Sequence, residues 1–165
     1  MGTQARQIVG MDVEALIERL NKALADEWLA YYQYWVGAKV VRGPMRQSAV
    51  TELTEHAADE LRHAEMVATR ILQLNGTPLL RPSDWERVTN CGYEAPEDFD
   101  IKAVLEQNIK GEQCAIKVYH ELVAMTREND LVTHSLVLEI LGDEIEHEDD
   151  LQSLLEDLES RWEAR

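Results

Sequence analysis

Four stretches of the chain repeat apolar residues at helical spacing, and each interrupts its apolar stripe with a glutamate. Steps of seven residues return to the same helix face. Along the first stretch, about residues 12–41, they give Val13, Leu20, Glu27, Tyr34 and Val41. The second, 44–75, gives Leu53, Glu60, Val67 and Leu74, and the third, 100–127, gives Leu105, Glu112 and Tyr119. The fourth, 131–162, gives Val137, Glu144, Leu151 and Leu158, with Ile140, His147 and Leu154 beside them. Asp12 and Asp100 are placed to cap two of these helices. Gly43-Pro44 separates the first pair and puts Pro44 in the first turn of the second helix. Asn75-Gly76 is a helix stop. The span 76–99 holds the other three prolines, Pro78, Pro82 and Pro96, and little periodicity. Connections that run short, long, short predict one all-α domain, a four-helix bundle of two antiparallel hairpins joined by a long crossover.

Four carboxylates inside apolar stripes are costly unless something compensates them. An internal repeat says what that is. Asp59-Glu60-Leu-Arg-His63 in the second helix recurs as Asp143-Glu144-Ile-Glu-His147 in the fourth, 84 residues on. The first and third helices each carry Glu-x6-Tyr, as Glu27 with Tyr34 and Glu112 with Tyr119. Residues three apart lie on adjacent turns of one face, so a Glu and a His can reach one ion. A Tyr two turns on can roof the site and hydrogen-bond a ligand or a bound oxygen species. One Glu from each of two helices plus Glu-x-x-His from the other two is a di-iron or di-manganese carboxylate donor set. Four carboxylates and two neutral imidazoles are neutralised by two divalent cations. Oxygen and imidazole donors suit iron or manganese. Asp59 and Asp143 are placed to accept the ring N–H of the histidine from the other half. With 21 Glu and 5 His in the chain, chance supplies fewer than one Glu-x-x-His, and a matched pair behind matched Glu and Tyr residues is far more specific.

Composition narrows the function classes. The chain has 165 residues, is 45% hydrophobic and carries a net charge of −16. That apolar fraction excludes an acidic disordered chain. The charge argues against direct nucleic-acid binding, which needs clustered Lys and Arg. Residues 1–11 contain no apolar run and no window approaches 18 apolar residues, so neither a signal peptide nor a membrane span is expected. Two cysteines are too few for a secreted disulfide scaffold, and a cytoplasmic protein is the expectation.

On these motifs the chain resembles the ferritin-like superfamily, over Leu24 to Leu154, and bacterioferritin and Dps-like proteins in particular. The resemblance implies di-iron ligands at Glu27, Glu60, His63, Glu112, Glu144 and His147. It implies a ferroxidase that oxidises Fe(II) with O2 or H2O2, stores ferric mineral in a hollow cage and so protects against oxidative stress. Three departures from bacterioferritin matter. Leu61 stands where that family has a haem-ligating Met, so no haem is expected. Only 18 residues follow His147, too few for the fifth helix of a 24-subunit shell. Cys91 lies in the enlarged crossover and Cys114 two residues beyond Glu112. A cysteine pair near the site without a fifth helix resembles the thioferritin subgroup, which implies a twelve-subunit cage, a preference for H2O2 and a disulfide-capable Cys91–Cys114 pair over two buried free thiols.

Other residues receive plainer readings. His56, one heptad before His63, is read as a core or interface histidine, with guidance of iron as its alternative. His120 and His134 are expected at the surface. Trp28, Tyr31, Tyr32 and Trp35 are expected to pack helices or interfaces. The six carboxylates of 143–150 include the ligand Glu144, and the others suit either a solvated face or an acidic cage lining. Two further functions compete: a rubrerythrin-like peroxidase or di-manganese catalase without storage, and a non-enzymatic acidic helical interaction module. No Cys-x-x-Cys pair is present for a rubredoxin-type electron donor.

Overall fold

The computed structural model describes residues 2–163. A short α1 (Gln4–Gln7) precedes the long helices α2 (Val13–Val40) and α3 (Arg46–Gln73), and the crossover carries α4 (Trp85–Val88). Two more long helices follow, α5 (Ile101–Thr126) and α6 (Leu131–Glu163), and no strand occurs among the described residues. α2 packs along α3 and α5 along α6, and the hairpins meet through α3 against α6 and α2 against α5.

Local chemistry sets the helix ends. Asp12 caps α2, accepting hydrogen bonds from the amides of Glu14 (2.9 Å) and Ala15 (3.2 Å). Asp100 caps α5 through Lys102 N–H at 3.0 Å. Pro44 does not enter the second long helix. Gly43 (φ 122°) and Met45 (φ 58°) are both left-handed, which turns the chain before α3 starts at Arg46. Asn75 (φ 60°) closes α3: its amide bonds Leu72 O at 3.0 Å while Gly76 N–H reaches Ile71 O at 2.9 Å. Gly76 is needed there, because a Cβ would meet Ile17 at 2.9 Å.

The crossover is more ordered than its composition predicts. Pro82 opens a 3-10 turn, Pro82–Asp84, that runs directly into α4. Trp85 then stacks on Trp28 of α2 with ring centres 5.3 Å apart. The end of the crossover pairs with the end of α2, through Arg42 N–H to Phe99 O (2.7 Å) and Ile101 N–H to Arg42 O (2.8 Å).

Two apolar clusters fill the bundle. One, with Leu16, Leu20, Val67, Ile71, Leu122 and Val137, lies toward one end. The other, with Ala38, Leu53, Val104, Leu105, Leu151 and Leu158, lies toward the opposite end. The six residues expected to bind metal occupy the interior between them. A second buried charge cluster lies toward the first end. Arg70, 2% exposed, donates to Asp130 at 2.8 Å and to Thr133 at 2.7 Å. Asp130 also caps α6 through the amides of Val132 and Thr133, both at 3.2 Å. Removing one partner of such a pair leaves the other charge buried and bare. Asp130→Ala is therefore expected to cost about 3–5 kcal/mol of unfolding free energy in a urea titration. A loss within experimental error would contradict this assignment.

Candidate metal centre

Each long helix contributes to one buried polar cluster. Glu27 comes from α2, Glu60 and His63 from α3, Glu112 from α5, and Glu144 and His147 from α6. All six are no more than 3% exposed. Their donor atoms form two overlapping groups, Glu27–Glu60–His63–Glu144 and Glu60–Glu112–Glu144–His147, each with its ligand atoms within 4.8 Å of one another.

The geometry divides the cluster into halves. His63 Nδ1 lies 3.5 Å from Glu27 Oε2, 3.6 Å from Glu60 Oε2 and 3.3 Å from Glu144 Oε1. His147 Nδ1 lies 3.4 Å from Glu60 Oε1, 3.5 Å from Glu144 Oε2 and 3.9 Å from Glu112 Oε1. Glu60 and Glu144 thus each turn one oxygen to either half, whereas Glu27 and Glu112 each serve one.

Most of these atoms have no protein partner. Glu27 Oε2, Glu60 Oε1, both Glu144 oxygens and Nδ1 of both histidines are buried without a hydrogen bond. Orphaned buried polar atoms are rare and expensive. Here they converge, and they are oxygen and imidazole donors, the set that iron and manganese accept. The residues present fit two divalent cations.

Electrostatics follows from the crowding. Burial, and then the neighbouring Glu60, push the Glu27 carboxyl well above its ordinary range; burial and Glu144 do the same to Glu112. Burial alone would depress His147, but Glu144 and Glu60 pull it up to about 10. His63, against Glu144, Glu27 and Glu60, is likewise raised despite its burial. Glu60, beside both histidines, is held below the usual carboxylate range although burial opposes this. Protons on the histidines stand where cation charge would otherwise be needed.

The surrounding residues orient the donors. His63 Nε2 meets Asp143 Oδ2 at 3.1 Å, and His147 Nε2 lies 3.5 Å from Asp59 Oδ2, so each aspartate faces the histidine of the opposite half. Arg62 spans the two aspartates, at 3.0 Å from Asp59 and 2.8 Å from Asp143. The repeat breaks at that position, where the second half has Glu146, and this break is the only sequence signal for Arg62. A contact that orients a metal ligand typically contributes 10- to 100-fold in affinity. Asp143→Ala is therefore expected to weaken metal binding by about that factor, measured by anaerobic Co(II) titration, and Asp59→Ala, at the longer contact, by less.

The two tyrosines hydrogen-bond donor carboxylates across the halves. Tyr34 O–H donates to Glu112, and Tyr119 O–H donates to Glu27. Burial and these carboxylates raise both phenols well above their ordinary values, which keeps them protonated donors. Each Tyr fixes one oxygen of its partner's carboxylate.

Cys91 and Cys114 form a disulfide that ties the crossover to α5. Asp26, adjacent to Glu27, was not apparent as a contributor from the sequence. It is buried and accepts from Asn90 N–H (2.8 Å), the Asn90 side chain (2.6 Å), Cys91 N–H (3.0 Å) and Thr89 O–H. The crossover is thus clamped twice over the site. Beneath it a cavity of about 340 Å³ reaches Glu27, Tyr34, Glu60, Glu112 and Glu144, with Cys91 at its wall.

His56 is buried in α3 with its ring 4.1 Å from that of His147. Burial and the neighbouring His147 push it down to about 4. His120 is exposed and His134 partly so, its Nδ1 3.1 Å from Val123 O. Tyr32 and Trp35 stack on one another at 5.8 Å and stay about half exposed.

A four-helix bundle with two hairpins, a long crossover and this carboxylate–histidine interior defines a ferritin-like protein. The family model for the ferritin-like domain matches residues 17–161, and the chain belongs to that family. It is 35% identical, over 88% of its length and 80% of the relative's, to a "DNA protection during starvation protein" of Pyrococcus furiosus. A bacterioferritin of Rhodobacter capsulatus is 31% identical over 84% of this chain and 81% of its own. Among solved structures, the bacterioferritin-related protein of Bacteroides fragilis, described as a dodecameric thioferritin, superposes with a TM-score of 0.97 at 43% identity, covering 99% of this chain and 98% of that one. Dps of Thermosynechococcus elongatus shares the fold, with a TM-score of 0.82 at 20% identity over 86% of this chain and 90% of that one. Ferroxidase activity and iron storage are general to this family. No helix among the described residues is long and apolar enough to cross a membrane.

Proposed function

We propose that this protein is a cytoplasmic ferroxidase that oxidises Fe(II) with H2O2 in preference to O2, stores the Fe(III) in a homo-oligomeric cage of twelve subunits rather than twenty-four, and thereby protects against oxidative stress. One observation carries the reading: Glu60 and Glu144 each split their two oxygens between the two halves of a buried donor set. That arrangement suits two ions held side by side. Glu27 with His63 would complete one half, and Glu112 with His147 the other. Tyr119 and Tyr34 hold the terminal carboxylates in place, and Asp143 and Asp59 hold the imidazoles. Two Fe(II) bound there would supply two electrons to one peroxide, giving two Fe(III) and two hydroxides without releasing a hydroxyl radical. The cavity under the crossover offers a small oxidant a path to the donors.

The likeness to the Bacteroides dodecamer supports the cage size, and a native mass of twelve times the 18.9 kDa chain is expected. The name of the Pyrococcus relative speaks of DNA protection. A charge of −16 favours protection by consuming Fe(II) and oxidant over direct binding of DNA. In a cytoplasm disulfides are usually redox-responsive. Cys91 and Cys114 are accordingly expected to resist alkylation in the native, non-reduced protein and to be modified after reduction. Labelling of both thiols without reductant would contradict this.

The test of the function is anaerobic Fe(II) loading followed by separate additions of H2O2 and O2. Fast oxidation with many more than two irons retained per subunit supports storage, and a faster response to H2O2 supports the oxidant. Retention capped near two favours a peroxidase instead, and activity with Mn(II) alone favours a catalase.

A further inference from the structure

A second group of metal-type donors lies one ring away from the six-residue cluster. Its members are Glu52 and His56 of α3 and Asp150 of α6, with ligand atoms all within 4.8 Å of one another. His56 Nε2 is 3.6 Å from Asp150 Oδ2 and 3.9 Å from Glu52 Oε2. Both distances are too long for a hydrogen bond. His56 is only 3% exposed, and neither ring nitrogen has a hydrogen-bond partner. A buried imidazole with two unsatisfied nitrogens is expensive as mere packing, since an apolar residue would fill the space without that cost. Its Nε2 is aimed at two carboxylates that reach solvent, with side chains 32% exposed for Glu52 and 46% for Asp150. Its other surroundings hold it in that pose. The Tyr34 ring stands nearly perpendicular to it with ring centres 5.3 Å apart, and the His56 ring stacks on His147, a donor of the second half of the buried cluster.

We propose that Glu52, His56 and Asp150 form a third, solvent-open site for a divalent transition-metal cation, from which ions are passed to the half of the buried cluster that contains His147. One imidazole and two carboxylates supply three protein ligands and leave the remaining positions to water. The two carboxylate charges are balanced by one divalent ion, so the site needs no other counter-charge. It differs from the buried cluster in being open, which lets a hydrated ion bind before it sheds its water. Both carboxylates are partly solvated, so changing them to amides should leave the bundle intact.

The proposal rests on the metal reading of the buried cluster only for the transfer step. The binding site itself is tested separately, by soaking crystals anaerobically in Co(II) and collecting anomalous diffraction at the cobalt edge. Three peaks per subunit are expected, the third at about 2.1 Å from His56 Nε2. In the E52Q/D150N double variant the third peak should vanish and the other two remain. Two peaks in the wild type with none at His56 would overturn the site, as would a third peak that survives in the variant. Loss of the buried pair with the third peak retained would instead count against the buried cluster alone. For the transfer step, stopped-flow loading at limiting Fe(II) is expected to slow roughly tenfold in the double variant, the lower end of what local charge does for capture of an ion. An unchanged loading rate in a variant that has lost the third peak would overturn transfer.

Discussion

Glu60→Ala and Glu144→Ala are each expected to abolish paired metal binding, whereas Glu27→Ala should leave one half of the site able to bind. The difference comes from how the oxygens are shared. Glu60 presents Oε2 to His63 and Oε1 to His147, and Glu144 presents Oε1 and Oε2 in the same way. Deleting either carboxylate removes a donor from both halves, one of the four carboxylate charges and one of the only two carboxylates that face both ions. Deleting Glu27 takes a donor from the His63 half only. Charge stabilisation at a metal site amounts to several kcal/mol, so Fe(II) oxidation in the Glu60 and Glu144 variants should fall by at least about a hundredfold. Beyond the ion proposed at Glu52, His56 and Asp150, anaerobic titration should count about two ions per subunit in the wild type, about one in Glu27→Ala and none bound tightly in the other two. Far-UV circular dichroism checks that the bundle persists. Equal losses in all three variants would contradict the shared geometry.

The second large effect is on pH. Carboxylates pull His147 up to about 10, and His63 is raised as well, so both rings carry protons at neutral pH before metal is added. A metal ligand must be deprotonated, and loading must therefore expel at least one proton from each ring. The sign is fixed: protons compete with the cations, and affinity falls as pH falls. Because both histidines are raised by the carboxylates around them, the affinity for the pair is expected to rise at least about a hundredfold per pH unit between about pH 6 and 8. A pH-indicator dye in weak buffer should record at least about two protons released per subunit on loading with Co(II), with any protons held by the raised carboxyls of Glu27 and Glu112 added to those of the rings. Affinity independent of pH would mean that the imidazoles are not the ligands.

Sequence pattern reached far into this molecule where function is written in helical spacing. Five of the six donors lie in apolar stripes, and the 84-residue repeat, which pairs Glu60 with Glu144 and His63 with His147, identifies the sixth, His63. The exchange of partners between halves is subtler. Asp143 facing His63 follows from the repeat's symmetry, but Tyr34 bonding Glu112 of the other half depends on how α2 meets α5. Helix pairing fixes that, and no local spacing encodes it. Asp26 looked like one more acidic residue on a helix, because the loop amides that it accepts lie more than 60 positions away. Arg70 and Asp130 were hidden for the same reason, 60 positions apart and each unremarkable in its own segment. The crossover's short helix escaped notice because four residues are too few to show periodicity.

The proposed function requires the six donors to hold two irons close enough to react as a pair. Its most direct measurement is the stoichiometry of H2O2 consumed per Fe(II), followed in a stopped-flow instrument with a spin trap present. The pair predicts one H2O2 for every two Fe(II), with no hydroxyl-radical adduct, and loss of that ratio in Glu60→Ala. One H2O2 per Fe(II) with trapped radical in the wild type, or an unchanged ratio in Glu60→Ala, would contradict it.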